Sequence, residues 1–274
     1  PVHACTSAVV SGKVTLDGRP LLWKNRDTDF MRNHVDYVKG ERYDFIAVVN
    51  SANAYLKEAW MGTNSAGFAL MNTQSYNLVD VKGDEERGAA NGRVIYRALE
   101  VCATVEDFCH FLDTISKPSD IEANFGVIDA QGGAAMFEVD YYKYVMYDAN
   151  NPKDAPYGYI ARTNFSFAGK VNEGAGYVRY MEADQVLMKA SATGNITPQF
   201  IFNDLSRSFR NRMLDIDLRS GGYNRPQASG WFIDQDFIPR SSTSCSVVVQ
   251  GVKPGVKAEL TTMWTLLGYP PTGI

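Results

Sequence analysis

The sequence has few of the residues, and none of the common motifs, on which many enzyme mechanisms depend. Its 274 residues include only three histidines, His3, His34 and His110, which leaves little material for a histidine-based triad or a zinc site. It lacks a P-loop, a complete dinucleotide-binding fingerprint, an H-E-x-x-H zinc motif and a G-x-S-x-G nucleophile elbow. We therefore expect neither a metal nor a cofactor.

Long apolar runs and an excess of positive charge are also missing. No stretch approaches the roughly 18 apolar residues that a membrane span needs, so we expect no membrane span. The 27 Lys and Arg residues against 31 Asp and Glu give a net charge of −4, which provides no attraction to phosphate backbones. We therefore expect no nucleic-acid partner. With 45% hydrophobic and 21% charged residues, the composition is that of an ordinary globular protein.

Cysteine is scarce too. Four cysteines in a chain of this length do not form a disulfide scaffold, and no C-x-x-C pair occurs. Cys102 and Cys109 share an apolar stripe in helical sequence, and Cys245 stands at the entry to a strand-like run. We interpret these three as small core residues. Cys5 differs because it stands almost at the start of the chain, and this position makes it the candidate for chemistry.

The two ends of the sequence suggest processing. Residues 2–4 loosely fit the small-residue pattern that precedes a signal-peptidase site, so we expect residues 1–4 to be a leader that is removed before Cys5. For the same reason we favour an exported protein, periplasmic or extracellular. The last residues, 264–274, stop soon after an apolar run, and we interpret the C terminus as truncated.

Hydrophobic patterning divides the chain into blocks of strands and blocks of helices. Such an order favours an α+β protein with antiparallel sheets over alternating β-α units. No linker-like segment interrupts it, so we predict a single domain over residues 1–274, with long loops at 28–39, 77–88 and 220–230. The predicted strands are 7–10, 20–24, 45–50, 68–71, 124–130, 134–139, 142–147, 157–163, 246–250 and 257–265, and the predicted helices are 94–102, 105–115, 177–190 and one that starts at 197.

Cys5 offers a mechanism that needs no histidine. A deprotonated thiol is a strong nucleophile. Once residues 1–4 are removed, the free α-amino group of Cys5, with a reference pKa of about 7.7–8.0, can accept the thiol proton near neutral pH. The alternative is a buried strand cysteine without a catalytic role, which is the common fate of free cysteine. The residue by itself leaves both interpretations open.

Five segments in a fixed order carry a more specific signal. They are the Cys5-Thr start with the later Lys24-Asn-Arg-Asp27, the Gly-x-Asn-x-x-Gly strand at 62–72, the hairpin at 124–138, the Thr-Asn pair at 163–164, and the helix at 177–183 with its arginine. In this order they resemble the N-terminal-nucleophile hydrolases with a cysteine nucleophile, above all the penicillin acyltransferase-like and choloylglycine hydrolase-like branches. The similarity covers most of the chain.

The resemblance implies a four-layer αββα sandwich of two antiparallel sheets and a set of catalytic roles. Cys5 would attack an amide carbonyl, and Asp27 would bind and orient its α-amine. Asn72 would donate a hydrogen bond to the oxyanion of the tetrahedral intermediate, and Asn164 would help at the same place by its side chain or nearby backbone. Arg179 would favour the thiolate. Without the resemblance, the aspartate and the asparagines are explained equally well as turn and strand-end residues, and the arginine as a solvated charge on a helix.

Two basic residues complete the predicted site. By the resemblance, Lys24 and Arg26 would bind the substrate. Part of the family has arginine where Lys24 stands, and the two side chains are not equivalent in bidentate contacts. Either Lys24 still supplies the charge, or Arg26 compensates. A second departure concerns the N terminus, since an attached residue 4 makes the Cys5 nitrogen an amide that cannot accept a proton. Such a chain would be an unprocessed or inactive form.

The resemblance also implies an activity, the hydrolysis of a linear amide C–N bond through an acyl-enzyme on Cys5. The expected partner is a small N-acyl amide substrate, such as an acyl-amino acid, a conjugated bile acid or a penicillin-type amide, and we expect a homo-oligomer. Three alternatives stay open. They are an acyltransferase that uses the same acyl-enzyme, an inactive binding protein on the same fold, and a thiol-redox protein, which would need a second thiol close to Cys5.

Overall fold

The computed structural model describes residues 4–80, 88–220 and 233–273 of the chain, and strands outnumber helices in this part. Its strands are β1 (Thr6–Val10), β2 (Leu21–Asp27), β3 (Asn33–Val38), β4 (Phe45–Asn50), β5 (Met61–Asn64), β6 (Ala69–Gln74), β7 (Ala123–Ile128), β8 (Ala134–Val139), β9 (Tyr144–Asp148), β10 (Tyr159–Arg162), β11 (Arg210–Asn211), β12 (Ile216–Asp217), β13 (Thr243–Gln250) and β14 (Thr262–Leu267). Its helices are α1 (Asn91–Val101), α2 (Val105–Thr114), α3 (Tyr177–Ser191) and α4 (Pro198–Phe200), which continues into the π-helical turn Ile201–Leu205.

Two antiparallel sheets form the centre of the fold. The five-stranded sheet has the order β10-β1-β2-β13-β14, and the seven-stranded sheet runs from β3 to β9 in chain order. The first sheet brings the beginning and the end of the sequence side by side, because β1 and β13 both pair with β2. The second sheet is a meander, in which each strand pairs with the next. The predicted α+β class with two antiparallel sheets is confirmed.

Three apolar cores separate four layers. One core lies between the two sheets and includes Leu22 and Met71. A second core, around Phe108 and Phe125, packs α1 and α2 onto the seven-stranded sheet. A third core, around Trp23, packs α3 and the π-helical turn onto the five-stranded sheet. Helices therefore cover the outer faces of both sheets, which produces the expected αββα order.

The helix pair between β6 and β7 lies close to its predicted position. The α2 helix begins with a capping box, in which the side chains of Thr104 and Asp107 each accept a hydrogen bond from the backbone of the other. The expectation that both helical cysteines are core residues is confirmed for Cys102 and holds in part for Cys109, which packs against the same core without being fully buried. Cys102 ends α1 and is buried, whereas Cys109 lies on the next helix and is only half-buried. None of the helices in the described ranges is long and apolar enough to cross a membrane.

Residues 28–39 are not the loop that the sequence predicted, because Asn33–Val38 forms the edge strand β3. This strand pairs along its whole length with β4. Its apolar side chains Val35 and Tyr37 are 39% and 64% exposed, so it lacks the buried apolar face that marks a half-buried strand in a sequence. Backbone pairing at the edge of the sheet, which leaves no hydrophobic signal, therefore determines its conformation.

The C-terminal part shows a second difference. The predicted strand at 257–265 begins later, as β14 at Thr262, because Ala258–Leu260 forms a 3-10 turn instead. The predicted loop at 220–230 lies outside the described residues apart from Ser220, and so does 81–87 of the predicted loop at 77–88.

Phe108 is the side chain that joins α2 to the seven-stranded sheet. It is fully buried, and its ring lies edge-on to Phe125 and Phe137, with centroids 5.8 and 5.0 Å away. Because alanine would leave a cavity between helix and sheet, we expect Phe108→Ala to lower the free energy of unfolding by about 3–5 kcal/mol in a denaturant titration. The exposed Tyr142 is the control, and Tyr142→Ala should change this free energy by no more than about 0.5 kcal/mol. Equal effects of the two substitutions would contradict the prediction.

Candidate active site

A cavity of about 370 Å³ between the two sheets collects most of the predicted site residues. Cys5, Lys24, Arg26, Asp27 and Asn72 all line it. The two remaining predicted residues lie behind the wall, where they bond to the backbone of Cys5. Residues that are far apart in the sequence therefore meet at one place, as the resemblance requires.

Strand pairing explains how these residues meet. The register of β1 on β2 places Cys5 at the level of Arg26. Lys24 and Arg26 alternate onto the same face of β2 as Leu22, which belongs to the core between the sheets. Asn72, in β6, contacts Lys24 from the opposite sheet. The cavity is thus the open end of the inter-sheet core, where charged and amide side chains replace apolar ones.

The backbone of Cys5 is held on both sides by buried side chains. Its nitrogen donates to Oδ1 of Asn164 at 3.0 Å, and its carbonyl oxygen accepts from Nη1 of Arg179 at 2.7 Å. Arg179 also donates to Oδ1 of Asn164 at 2.7 Å and to the Thr6 hydroxyl at 2.8 Å. These contacts form one connected set of hydrogen bonds, which fixes the start of β1 at the cavity wall.

Arg179 is a buried residue and not a solvated charge on the outside of its helix. Only 2% of its surface is exposed, and burial lowers the pKa of its guanidinium to about 10. This value still lies well above neutral pH, so the side chain carries a positive charge beside the Cys5 backbone. Arg179 is therefore not a solvated charge on the helix surface. Its buried guanidinium still carries the positive charge that its expected role, favouring the thiolate, requires.

Asn164 turns its side-chain oxygen, and not its amide N–H groups, towards Cys5. Its Nδ2 donates to the carbonyl oxygen of Gln74 at 2.8 Å, which ties the segment after β10 to β6 in the other sheet. Its backbone N–H is also used, in a bridge to Ala175. This arrangement holds the Cys5 nitrogen through Oδ1 of Asn164. The expected help of Asn164 at the oxyanion, by its side chain or nearby backbone, stays a prediction.

Asn72 has the orientation that an oxyanion donor needs. Lys24 donates from Nζ to Oδ1 of Asn72 at 2.9 Å and to the Trp60 carbonyl at 3.0 Å. Because an ammonium group can only donate, the amide oxygen must face Lys24, and the two N–H groups of Asn72 point away from it. No acceptor within 4–80, 88–220 and 233–273 takes these N–H groups, so they are available to a ligand in the cavity.

Asp27 is bound to Arg240 and Thr243. Its Oδ2 accepts from Nε and Nη2 of Arg240 at 3.0 and 2.9 Å, and its Oδ1 accepts from the Thr243 hydroxyl at 2.6 Å. Burial raises the pKa of the carboxyl, and the Arg240 charge opposes that rise. Among the described residues no hydrogen bond joins Asp27 to the nitrogen of Cys5, although both residues line the cavity. The contact of Asp27 with a free α-amine therefore stays a prediction.

Four residues that contact predicted site residues, Arg240, Thr243, Asn50 and Trp60, were not predicted from the sequence. Arg240 reaches Asp27 across 213 positions, a contact that depends on β13 pairing with β2 and leaves no local signal. Arg26 donates to Oδ1 of Asn50 at 2.7 Å and lies over the Trp60 ring, 4.8 Å from its centroid. Asn50 ends the predicted strand 45–50, and this position at a strand end was its available signal. Trp60 directly precedes β5, a strand that was not predicted, so it had no such signal.

Cys245 lies in the same sheet as Cys5, but the two cannot form a disulfide. Cys245 pairs with Arg26 from β13, and Cys5 stands at the level of Arg26 on the other side of β2. Two strand spacings separate the cysteine backbones by roughly 10 Å, beyond the limit of about 7 Å for a disulfide. The redox alternative, which needs a second thiol within reach of Cys5, is therefore not supported. Cys245 is buried, which confirms its interpretation as a core residue.

Solved structures show which fold this arrangement of sheets and helices has. An ortholog of N-acylethanolamine-hydrolyzing acid amidase from Caenorhabditis elegans superposes with a TM-score of 0.53 over 96% of this chain and 100% of its own, at 14% identity. A mutant conjugated bile acid hydrolase from Clostridium perfringens gives a TM-score of 0.51 over 96% of this chain and 89% of its own, at 13% identity. The fold is that of the N-terminal-nucleophile hydrolases.

The family follows from the sequence. The family model of acyl-coenzyme A:6-aminopenicillanic acid acyl-transferase matches residues 15–203, which is more than half of the chain. The chain therefore belongs to this family, and the resemblance to the penicillin acyltransferase-like branch is confirmed. The matched part begins after Cys5 and includes Asp27, Asn72, Asn164 and Arg179. No curated protein sequence shows significant similarity to the chain.

The pair of Asp27 and Arg240 leads to a prediction about stability. Removing one partner of a buried ion pair leaves an uncompensated charge, which typically costs about 3–5 kcal/mol. We expect Arg240→Met and Asp27→Asn each to lower the free energy of unfolding by about that amount, and the double variant to lose less than the sum by at least about 1 kcal/mol. Denaturant unfolding of the four proteins measures this coupling, and strictly additive losses would show that the pair does not form.

Proposed function

We propose that the chain is an amide hydrolase in which Cys5 forms an acyl-enzyme with a small N-acyl amide. The observation that carries this proposal is the position of Cys5 and Asn72 on opposite sheets of one cavity. Cys5 supplies a thiol at the wall, and Asn72 supplies two N–H groups that Lys24 leaves unused. The names of the two fold relatives refer to N-acylethanolamines and conjugated bile acids, and such N-acyl amides support the proposed substrate class.

Activation requires cleavage before Cys5, because in the described chain Ala4 is joined to it. After cleavage the nitrogen of Cys5 becomes an α-amine with a reference pKa of about 7.7–8.0. It keeps its place through Oδ1 of Asn164, and it accepts the thiol proton. The positive charges of Arg179 and Lys24 favour the resulting thiolate. Cleavage by a signal peptidase and self-cleavage by Cys5 would both produce this form.

The proposed reaction has two half-reactions. The thiolate of Cys5 attacks the amide carbonyl, and Asn72 donates from Nδ2 to the oxygen on which negative charge develops. The C–N bond breaks, the leaving amine takes the proton held by the α-amine, and a thioester remains on Cys5. The same α-amine then accepts a proton from water, whose oxygen attacks the thioester. The acid leaves, and Cys5 returns to its starting form.

Asp27 acts in this scheme by stabilising the protonated α-amine. Arg240 and Thr243 hold its carboxylate in the wall of the cavity that Cys5 also lines. Cleavage turns the planar amide nitrogen of Cys5 into an ammonium with two additional N–H donors. A carboxylate at the same cavity can accept one of them, while Asn164 retains the contact that it already makes.

Acyl transfer is the second candidate function, because the family to which the chain belongs is described by that activity. The thioester on Cys5 would form in the same way, and an amine would replace water as the acceptor. Product analysis with and without an added amine distinguishes the two functions. A binding protein without catalysis would retain Ala4 on Cys5, and N-terminal sequencing of the native protein distinguishes it from both.

Substitution of Cys5 tests the nucleophile. We expect Cys5→Ala and Cys5→Ser to abolish turnover of a panel of N-acyl amides, because neither side chain supplies a thiolate. Cys109→Ala is the matched control, since this half-buried thiol lies on α2, outside the cavity wall, and its loss should leave turnover intact. Turnover by Cys5→Ala at the unsubstituted rate would remove Cys5 from the mechanism.

Substitution of Asn72 tests the oxyanion role. Since Asn72 donates only to charge that develops in the transition state, Asn72→Ala should lower kcat by roughly 10²–10³ and change KM little. Steady-state kinetics on one N-acyl amide measures both constants. An effect confined to KM would show that Asn72 binds the ground state and does not stabilise the oxyanion.

A further inference from the structure

Two buried cations face the cavity without an acidic partner in the described part of the chain. Arg26 donates to the side-chain oxygens of Asn33 and Asn50 and lies over the Trp60 ring. Lys24 donates to the Trp60 carbonyl and to an asparagine oxygen in β6. All of these partners are uncharged. Within 4–80, 88–220 and 233–273 no carboxylate lies within 4 Å of either head group.

The acidic residues of the cavity wall already have cationic partners. Asp27 is bound by Arg240 at 2.9 Å, and Glu58 lies 3.6 Å from Arg93. An ionised Cys5 would balance one of the two remaining cations and leave the other without a counter-charge. A buried charge without a partner is costly. The site therefore has a deficit of negative charge that a bound anion would fill.

Lys24 and Arg26 are close enough to share one anion. They stand two residues apart on the same face of β2, which places their Cα atoms roughly 6.5–7 Å from each other. The guanidinium has five N–H donors, of which the two asparagines take two, and the ammonium has three, of which two are taken. Burial lowers the pKa of both groups, and a bound anion would oppose this shift.

We propose that Arg26, assisted by Lys24, binds a carboxylate of the substrate, so that the site selects N-acyl amides that carry a carboxylate. A guanidinium suits this ligand because its planar donors match the two carboxylate oxygens. The Trp60 ring under Arg26 holds the plane of the guanidinium. Phe30 and Leu56 supply apolar wall for the rest of the molecule. This inference rests on the proposed amide hydrolase and names its substrate class.

Binding to the Cys5→Ala protein tests the inference without interference from turnover. N-hexanoylglycine and N-hexanoylglycinamide differ only in a carboxylate on the amine side of the amide. N-hexylglutaramic acid and its methyl ester differ in the same way on the acyl side. By titration calorimetry we expect the acid of at least one pair to bind at least about tenfold more tightly than its neutral counterpart. The pair that shows the preference identifies the side that carries the carboxylate.

Substitutions in the same background identify the residue responsible. Arg26→Gln should remove most of the preference while the neutral ligands bind as before, which also shows that the variant is folded. Arg26→Lys, which retains the charge, should keep part of the preference. Arg93→Gln is the matched control, because it removes a cation from the same wall that Glu58 already pairs, and it should keep the full preference.

Two results would overturn the inference. One is equal affinity for the acid and its neutral counterpart in both pairs, and the other is a preference that survives Arg26→Gln. A failure of the proposed function is distinguishable from both. If the processed protein bound the acids with the expected preference but cleaved neither amide, the proposed amide hydrolysis would be wrong. The proposed carboxylate site at Arg26 would then still be supported.

Discussion

The hydrogen bonds that Asn164 and Arg179 make to the backbone of Cys5 are the contacts on which the proposed site depends. They connect the start of β1, the segment after β10 and the first turn of α3, and Asn164 adds a link to β6 in the other sheet. Because these bonds hold backbone atoms, they fix the amide nitrogen that would become the base together with the thiol that would become the nucleophile. One residue can supply both functions only if its main chain is held in this way.

The second requirement is a fixed distance between the two sheets. Lys24 and Arg26 belong to the five-stranded sheet and Cys5 directly precedes its strand β1, whereas Asn72 belongs to the seven-stranded sheet. The Lys24 side chain spans the gap and orients the Asn72 amide through a hydrogen bond to its oxygen, so the side chain proposed to favour the thiolate also orients the proposed oxyanion donor. The packed core between the sheets, with Leu22 at its edge, keeps this geometry constant.

Features that a local sequence pattern marks could be predicted, whereas features that depend on contacts between distant positions could not. Cys5 and Asn72 could be found because each lies in a local pattern that resembles a known family. The α+β class followed from the blocks of strands and helices, whereas the αββα order was implied by the resemblance. Arg240 could not be found, because its role arises only when β13 pairs with β2, more than 200 positions away. The edge strand Asn33–Val38 could not be predicted either, since a strand that pairs through its backbone and has no buried apolar face leaves no periodic hydrophobic signal.

The most direct test of the central claim is to identify the residue and the N terminus of the acyl-enzyme. Protein that is turning over an N-acyl amide is quenched in acid and digested, and the acylated peptide is sequenced by mass spectrometry. We predict an acyl group in thioester linkage on a peptide that begins with a free Cys5. An acyl group on any other residue, or turnover by protein in which Ala4 is still attached, would contradict this prediction.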